Sequence, residues 1–161
     1  MDLSIFREIK REAKMGNILV AVDGSKYSDR VVEYSCDLAR KLTSSIILMY
    51  VSRYPDLVED YIAMGGSNPS PMGEHPVTMA ENVISKLGEK IKKEKIPYEV
   101  VIESGNPAGK ILEKSFAKNS DMIVVGLKGL HGVDQIRSLG SVARRVLENA
   151  RCPVVVVTEE K

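Results

Sequence analysis

The sequence predicts an α/β domain built on an open, doubly wound parallel sheet. Two observations carry that expectation. Five short apolar segments alternate with segments of helical periodicity along most of the 161 residues. Two of those segments, residues 17–23 (NILVAVD) and 121–126 (DMIVVG), are apolar nearly throughout, as strands buried on both faces are. Strands separated by helices run parallel through right-handed crossovers, with helices on both faces of the sheet.

Residues 3–13 put Leu3, Phe6, Ile9 and Ala13 on one helical face, an amphipathic extension of residues 1–15 ahead of a main domain at 16–158. The first strand, 17–23, runs into Asp23, Gly24 and Ser25. A helix over 26–42 follows, with Ser25 as N-cap and Val31, Val32, Tyr34, Ser35, Leu38, Ala39 and Leu42 at helical spacing. Residues 45–51 read as the second buried strand. Periodicity fades over 52–76. The breaker-rich piece 65–73 predicts a mobile loop, and Tyr61, Ile62 and Met64 a helical turn before it. A helix over 77–94 leads to a third strand at 97–103, whose partial alternation suits a sheet edge. Pro107 opens a helix over 108–118. The fourth strand, 121–126, leads through a glycine-rich segment to a helix over 140–150. The last strand is 153–158, begun by Cys152.

Composition excludes several functions. Hydrophobic residues are 43% and charged residues 28%, the balance of a folded globular chain rather than a disordered one. Net charge is +1, which gives no reason to expect nucleic acid or an anionic membrane as partner. Arg144–Arg145 and Lys92–Lys93 read as solvated helix faces. No stretch reaches the ~18–20 apolar residues of a membrane span, and the charged N-terminus lacks a signal peptide's apolar core. Cys36 and Cys152 fall in apolar segments and are expected as free, buried thiols, so a cytoplasmic protein is expected.

In such a sheet, ligands bind beyond the C-terminal strand ends, at the switch in strand order. Two segments stand there after buried strands: Asp23 to Ser25, and Gly126 to Gly132. If the first and fourth strands are neighbours, these segments face each other. Glycines let backbone N–H groups turn toward an anion, and the next helix adds its own unpaired N–H groups. Ser141 offers a hydroxyl, Gly140 close approach, and Lys128 charge. Asp23 could accept from a sugar hydroxyl or help hold a divalent ion. The alternative is that the glycines only make a tight turn and permit close helix packing. The segment is neither a Walker P-loop nor a dinucleotide fingerprint.

The span from Gly16 to Thr158 resembles the universal stress protein family. The resemblance lies in residues 17–25, Ile46 to Val51, Gly105 to Pro107 before a helix, 121–126, and above all the closing stretch 140–157 (GSVARRVLENARCPVVVV). It implies a five-stranded parallel sheet in order 3-2-1-4-5. It also implies a homodimer paired through the last strand, Val154–Val157. One branch of that family binds ATP, with magnesium, and another does not. The ATP branch carries Gly, two residues, Gly, nine residues, Gly, then Ser or Thr. Gly126, Gly129, Gly140 and Ser141 match its fixed positions. The implied roles are phosphate contacts from these backbone N–H groups, joined by the Ser141 hydroxyl and the Val142 N–H. Asp23 would lie near the ribose and near any Mg, and the backbone at Val51 would meet adenine. Tyr50 stands where the family usually has His.

Two departures accompany the match. Ten residues, not nine, separate Gly129 from Gly140, and Leu127 replaces a small polar residue. Inside a helix the extra residue would rotate the downstream residues by about 100°; Gly132, Asp134 and Gln135 favour its absorption in a loop. His131 and His75 are read as solvent-facing loop residues, Lys128 as an exposed loop lysine, and no third ligand gives them metal spacing. No nucleophile elbow or general base stands out, so an efficient enzyme is not expected. Three functions remain: an ATP-binding dimeric sensor or regulator, a nucleotide-free interaction protein of the same fold, and a slow ATPase or phosphotransferase.

Overall fold

The computed structural model describes residues 16–53, 76–128 and 139–158. Within them, the apolar runs become strands β1 (Asn17–Val22), β2 (Ser45–Ser52), β3 (Tyr98–Ser104), β4 (Met122–Gly126) and β5 (Val154–Val157). The segments of helical period become α1 (Lys26–Leu42), α2 (Pro76–Lys93), α3 (Pro107–Ala117) and α4 (Ser141–Asn149). Every strand pairing is parallel, and the order is β3-β2-β1-β4-β5. This is the five-stranded, doubly wound arrangement expected.

Side chains alternate across the pleat, so each strand feeds two cores. Ile18, Val20 and Val22 of β1 join Ile46, Leu48 and Tyr50 of β2 under α1 and α2. Leu19, Ile47, Met49, Ile123 and Val125 lie on the other face, under Ala108 and Ile111 of α3 and Ala143 and Val146 of α4. Covering both faces is why β1, β2 and β4 read as continuous apolar runs rather than alternating ones. β3, by contrast, is an edge, with Val100 and Ile102 exposed.

Three details differ from the sequence reading. Tyr34, placed on the apolar face of α1, is exposed; Tyr27, Ser28 and Cys36 are buried there instead. The stripe of α1 is therefore rotated toward Cys36, because the helix packs over two strands and along α2. Ser35, a polar residue in that stripe, satisfies its hydroxyl by donating to the Val31 carbonyl at 2.6 Å. Cys152 precedes β5 rather than beginning it, since the ladder to β4 starts at Val154. Both cysteines are free as expected, and Cys36 is buried, but Cys152 is only half-buried because it lies in the turn before β5 rather than within the sheet.

The extension at 1–15, the expected loop at 65–73 and the turn at 61–64 lie outside the described residues. Among the described helices none is long and apolar enough to cross a membrane.

Candidate functional site

Because β1 and β4 are neighbours, their C-terminal ends open on the same end of the sheet, and α1 and α4 start beside each other's strands. β2 runs two residues, Val51 and Ser52, past its last register pair with β1, Tyr50 with Val22; those two pair only with β3. Val51 thus stands at the rim of this cleft, its side chain buried on the α3–α4 face.

The turn after β1 is built around Asp23. Its Oδ1 accepts from the Ser25 N–H at 3.0 Å and from the Ser28 hydroxyl at 3.3 Å. The Ser28 Oγ in turn accepts from the N–H groups of Gly24 (3.0 Å) and Asp23 (3.3 Å). Gly24 adopts φ +78°, and a Cβ there would come within 2.8 Å of Val83 Cγ2 on α2. Only glycine meets both demands. Ser25 is the N-cap residue of α1, but its side chain makes no capping bond. Its hydroxyl oxygen is buried and has no partner. Burial, reinforced by the Asp23 charge, pushes the Tyr50 hydroxyl up from its ordinary range. Tyr50 therefore presents a neutral, proton-bearing phenol to this corner.

The end of β4 is built by backbone. Gly126 lies against α1: a Cβ there would meet Tyr27 Cβ at 3.2 Å and the Lys128 carbonyl at 3.4 Å. Gly126 therefore permits close packing of α1 against the end of β4. Leu127 donates its N–H to the Val157 carbonyl at 2.9 Å and accepts from the Gly140 N–H at 2.8 Å. That second bond draws the two ends of the intervening segment together. Gly140 is the N-cap of α4, and its carbonyl accepts from Arg144 N–H at 2.9 Å. The helix begins at Ser141, so Leu139 and Gly140 are not part of a helical turn and Ser141 holds the first helical position.

No side chain caps α4. A helix leaves its first amides without intrahelical partners, and here they belong to Ser141, Val142 and Ala143. The same position in α3 is closed differently: Asn106 Oδ1 accepts from the Gly109 N–H at 3.0 Å. The Gly140 amide, named from sequence among the anion contacts, is taken up by Leu127.

Lys128 departs from the sequence reading. It is 8% exposed, a buried lysine rather than an exposed loop one. Gly129, His131 and His75 lie outside the described residues. Among the described residues, no three His, Cys, Asp or Glu side chains cluster as metal ligands.

Two contributors escaped sequence reasoning. Ser28 orients Asp23, whereas cap statistics pointed to Ser25; the repeated serine three positions on was the available signal. Leu127 ties β4, β5 and α4 together through its backbone, a role that side-chain identity does not reveal. The assembled corner offers a fixed carboxylate, a phenol and an unpartnered buried hydroxyl on one side. It offers an uncapped helix N-terminus on the other. That combination suits a ligand with hydroxyls at one end and negative charge at the other.

Comparison with known proteins gives a family match and a consistent fold. Residues 15–158 match the model of the universal stress protein family. The chain is 31% identical to universal stress protein YxiE of Bacillus subtilis over 148 residues, covering 87% of this chain and 97% of that one. It is 29% identical to universal stress protein MJ0531 of Methanocaldococcus jannaschii, covering 89% and 82%. Among solved structures, the hypothetical protein MJ0577 superposes with a TM-score of 0.75 at 19% identity, over 92% of this chain and 99% of that one. A universal stress protein in complex with cAMP gives 0.64 at 20% identity, over 91% and 98%. A universal stress protein from Archaeoglobus fulgidus in complex with dAMP gives 0.61 at 21% identity, over 88% and 96%. At these identities the structures establish the fold.

Proposed function

The chain belongs to the universal stress protein family, and we propose that it binds ATP, with magnesium carried on the phosphates, and acts as a dimeric sensor or regulator. The observation that carries this reading is the uncapped start of α4, with Ser141 at its first position, facing the Asp23 turn across neighbouring strands. Relatives of the same fold have been solved with cAMP and with dAMP, which supports an adenine nucleotide as the ligand class.

In this reading the Ser141, Val142 and Ala143 amides and the Ser141 hydroxyl hold phosphate. The backbone N–H groups of Gly126 and Gly129 are proposed to add phosphate contacts, Lys128 adds charge, and Gly140 keeps the approach open. Asp23, held by Ser25 and Ser28, accepts from the ribose, and the backbone at Val51 meets adenine. Magnesium arrives bound to the nucleotide, among described residues that form no metal cluster of their own. Gly140 is anchored to Leu127 and α4 starts after it, which supports absorption of the extra residue between Gly129 and Gly140 ahead of the helix. Nucleotide occupancy is then read out by the segments 52–76 and 127–139.

The dimer we propose forms through β5, whose outer edge has no strand neighbour among the described residues and whose Val154, Val155 and Val156 are only half-buried. Pairing there removes an exposed edge.

Calorimetric titration of the nucleotide-stripped protein with Mg-ATP tests the binding. Micromolar affinity, lost in Gly140→Val, is expected. Heat of binding that is absent up to millimolar ATP overturns the reading and leaves the nucleotide-free interaction protein, the alternative that Leu127 and the ten-residue spacer favour.

A further inference from the structure

At the end of the sheet away from the Asp23 turn, α3 finishes and β4 and β5 begin. A groove of about 540 Å³ opens there between α3 and the turn before β5. Leu112 and Phe116 of α3 and Cys152 of the turn form its apolar wall. Leu112 and Cys152 pack partly against the core of that face. Phe116 does not: it is 64% exposed, the largest exposure among the described large apolar side chains. The Arg151 guanidinium, 4.6 Å from the ring centroid, covers only part of it.

The chain enters the described fold at this same corner. The N–H groups of Gly16 and Asn17 donate to Asp121 Oδ2 at 2.7 Å and 3.0 Å, and Asn17 Nδ2 donates to the Lys118 carbonyl at 3.3 Å. A Cβ at Gly16 would meet the same carboxylate oxygen at 3.1 Å, so the backbone is held close against it. Asn119 and Ser120, which lie between those two anchors in sequence, are at the groove. Whatever precedes Gly16 therefore departs from the groove's edge. The preceding residues, 1–15, lie outside the described ones, but their sequence carries the apolar stripe Leu3, Phe6, Ile9 and Ala13 at helical spacing. From Ala13 to Gly16 is three peptide steps, a reach of at most about 11 Å. An eleven-residue helix is about 16 Å long, longer than the stretch of α3 from Leu112 to Phe116 that supplies the apolar wall.

We propose that residues 3–13 dock as an amphipathic helix in the groove of their own chain, with Phe6 and Ile9 laid against Phe116 and Leu112. Each surface supplies what the other lacks. An isolated helix shorter than about 12–15 residues is marginal in water and needs an apolar surface to pack on. Phe116 in turn loses its exposure under the stripe. The own chain is the occupant because the two-residue link from Ala13 holds the helix beside this groove at an effective concentration on the order of millimolar.

The test reads the groove from Cys152 in the full chain, by the rate at which a bulky uncharged maleimide labels it. Cys36 is the internal control for folding, since it is 3% exposed and burial pushes its thiol up to about 11. Phe6→Asp should release the helix and label Cys152 about tenfold faster than the parent, with Cys36 still slow. Ser4→Asp makes the same charge change on the opposite side of the helical repeat and should keep the parent rate. Independently, mild oxidation of Phe6→Cys should link residue 6 to Cys152 within one chain, seen as a monomer band and a 6–152 peptide pair. Equal labelling of Cys152 in the parent and Phe6→Asp would overturn the proposal, as would equal acceleration by Ser4→Asp. Oxidation of Phe6→Cys that gives covalent dimers, or no 6–152 link, would overturn docking on the own chain.

Discussion

The helices α3 and α4 lie side by side on the same face of the sheet, yet they begin in opposite ways. α3 closes its own N-terminus: Asn106 caps it, Pro107 removes one amide, and Lys110 and Lys114 reach back to Glu103 at the end of β3. α4 begins on Gly140, whose only contribution is backbone. A cap of the Asn106 kind is worth about 1 kcal/mol. A glycine cap gives up some of that stability and leaves the first-turn amides open. The contrast teaches that a helix start can be built for stability or for a ligand, and that this fold uses both solutions on one layer.

Giving α4 a cap of its own breaks the comparison most directly. Gly140→Asp places a carboxylate where phosphate is proposed to sit, and the backbone there, φ −61° and ψ 156°, accepts any residue. ATP affinity should fall about a hundredfold, about 2.7 kcal/mol, while Tm holds or rises. Calorimetry and thermal melting on one sample decide it; a variant that binds ATP normally removes α4 from the site.

The second test moves to the turn that faces α4. Gly24→Ala forces a side chain into φ +78° and against Val83. Stability should drop by about 2 kcal/mol in urea unfolding, as the strained conformation and the shifted α2 contact both cost free energy. An unchanged midpoint would show that the turn relaxes freely and does not hold Asp23 in place.

Uncapping α3 gives the mirror experiment. Asn106→Ala should cost about 1 kcal/mol of stability and leave ATP affinity alone. A change in affinity would mean the two helix starts are coupled, and the contrast between them would lose its meaning.

The smallest effect concerns acid. Hydrogen bonding to Lys114 holds the Glu103 carboxyl below its ordinary range, and Lys90 does the same for Asp29 on α1. For a carboxylate depressed in the folded state, the contribution to stability is present above the unfolded pKa. It is lost as pH falls through the folded one. Stability should therefore decline on the acid side of the usual carboxylate range. Glu103→Gln should flatten that decline by less than about 1 kcal/mol, since the pair is solvent-screened. A profile as steep as the parent's would place the acid sensitivity elsewhere.

Much of this molecule was legible in its residues. Continuous apolar runs at β1, β2 and β4 specify strands buried on both faces, and the helical repeats between them specify parallel crossovers, because period and burial are local properties of the chain. The matching glycines and Ser141 pointed to α4 for the same reason. Other features depend on what comes from far along the chain. The burial of Lys128, the packing of Gly126 on Tyr27, the anchoring of Gly140 by Leu127 and the hold of the Ser28 hydroxyl on Asp23 beside the Ser25 amide all arise where β1, β4 and their helices meet. Local sequence determined the elements and their order. Tertiary packing decided which hydroxyls, amides and thiols found partners, because a buried polar group is satisfied only by whatever the fold brings beside it.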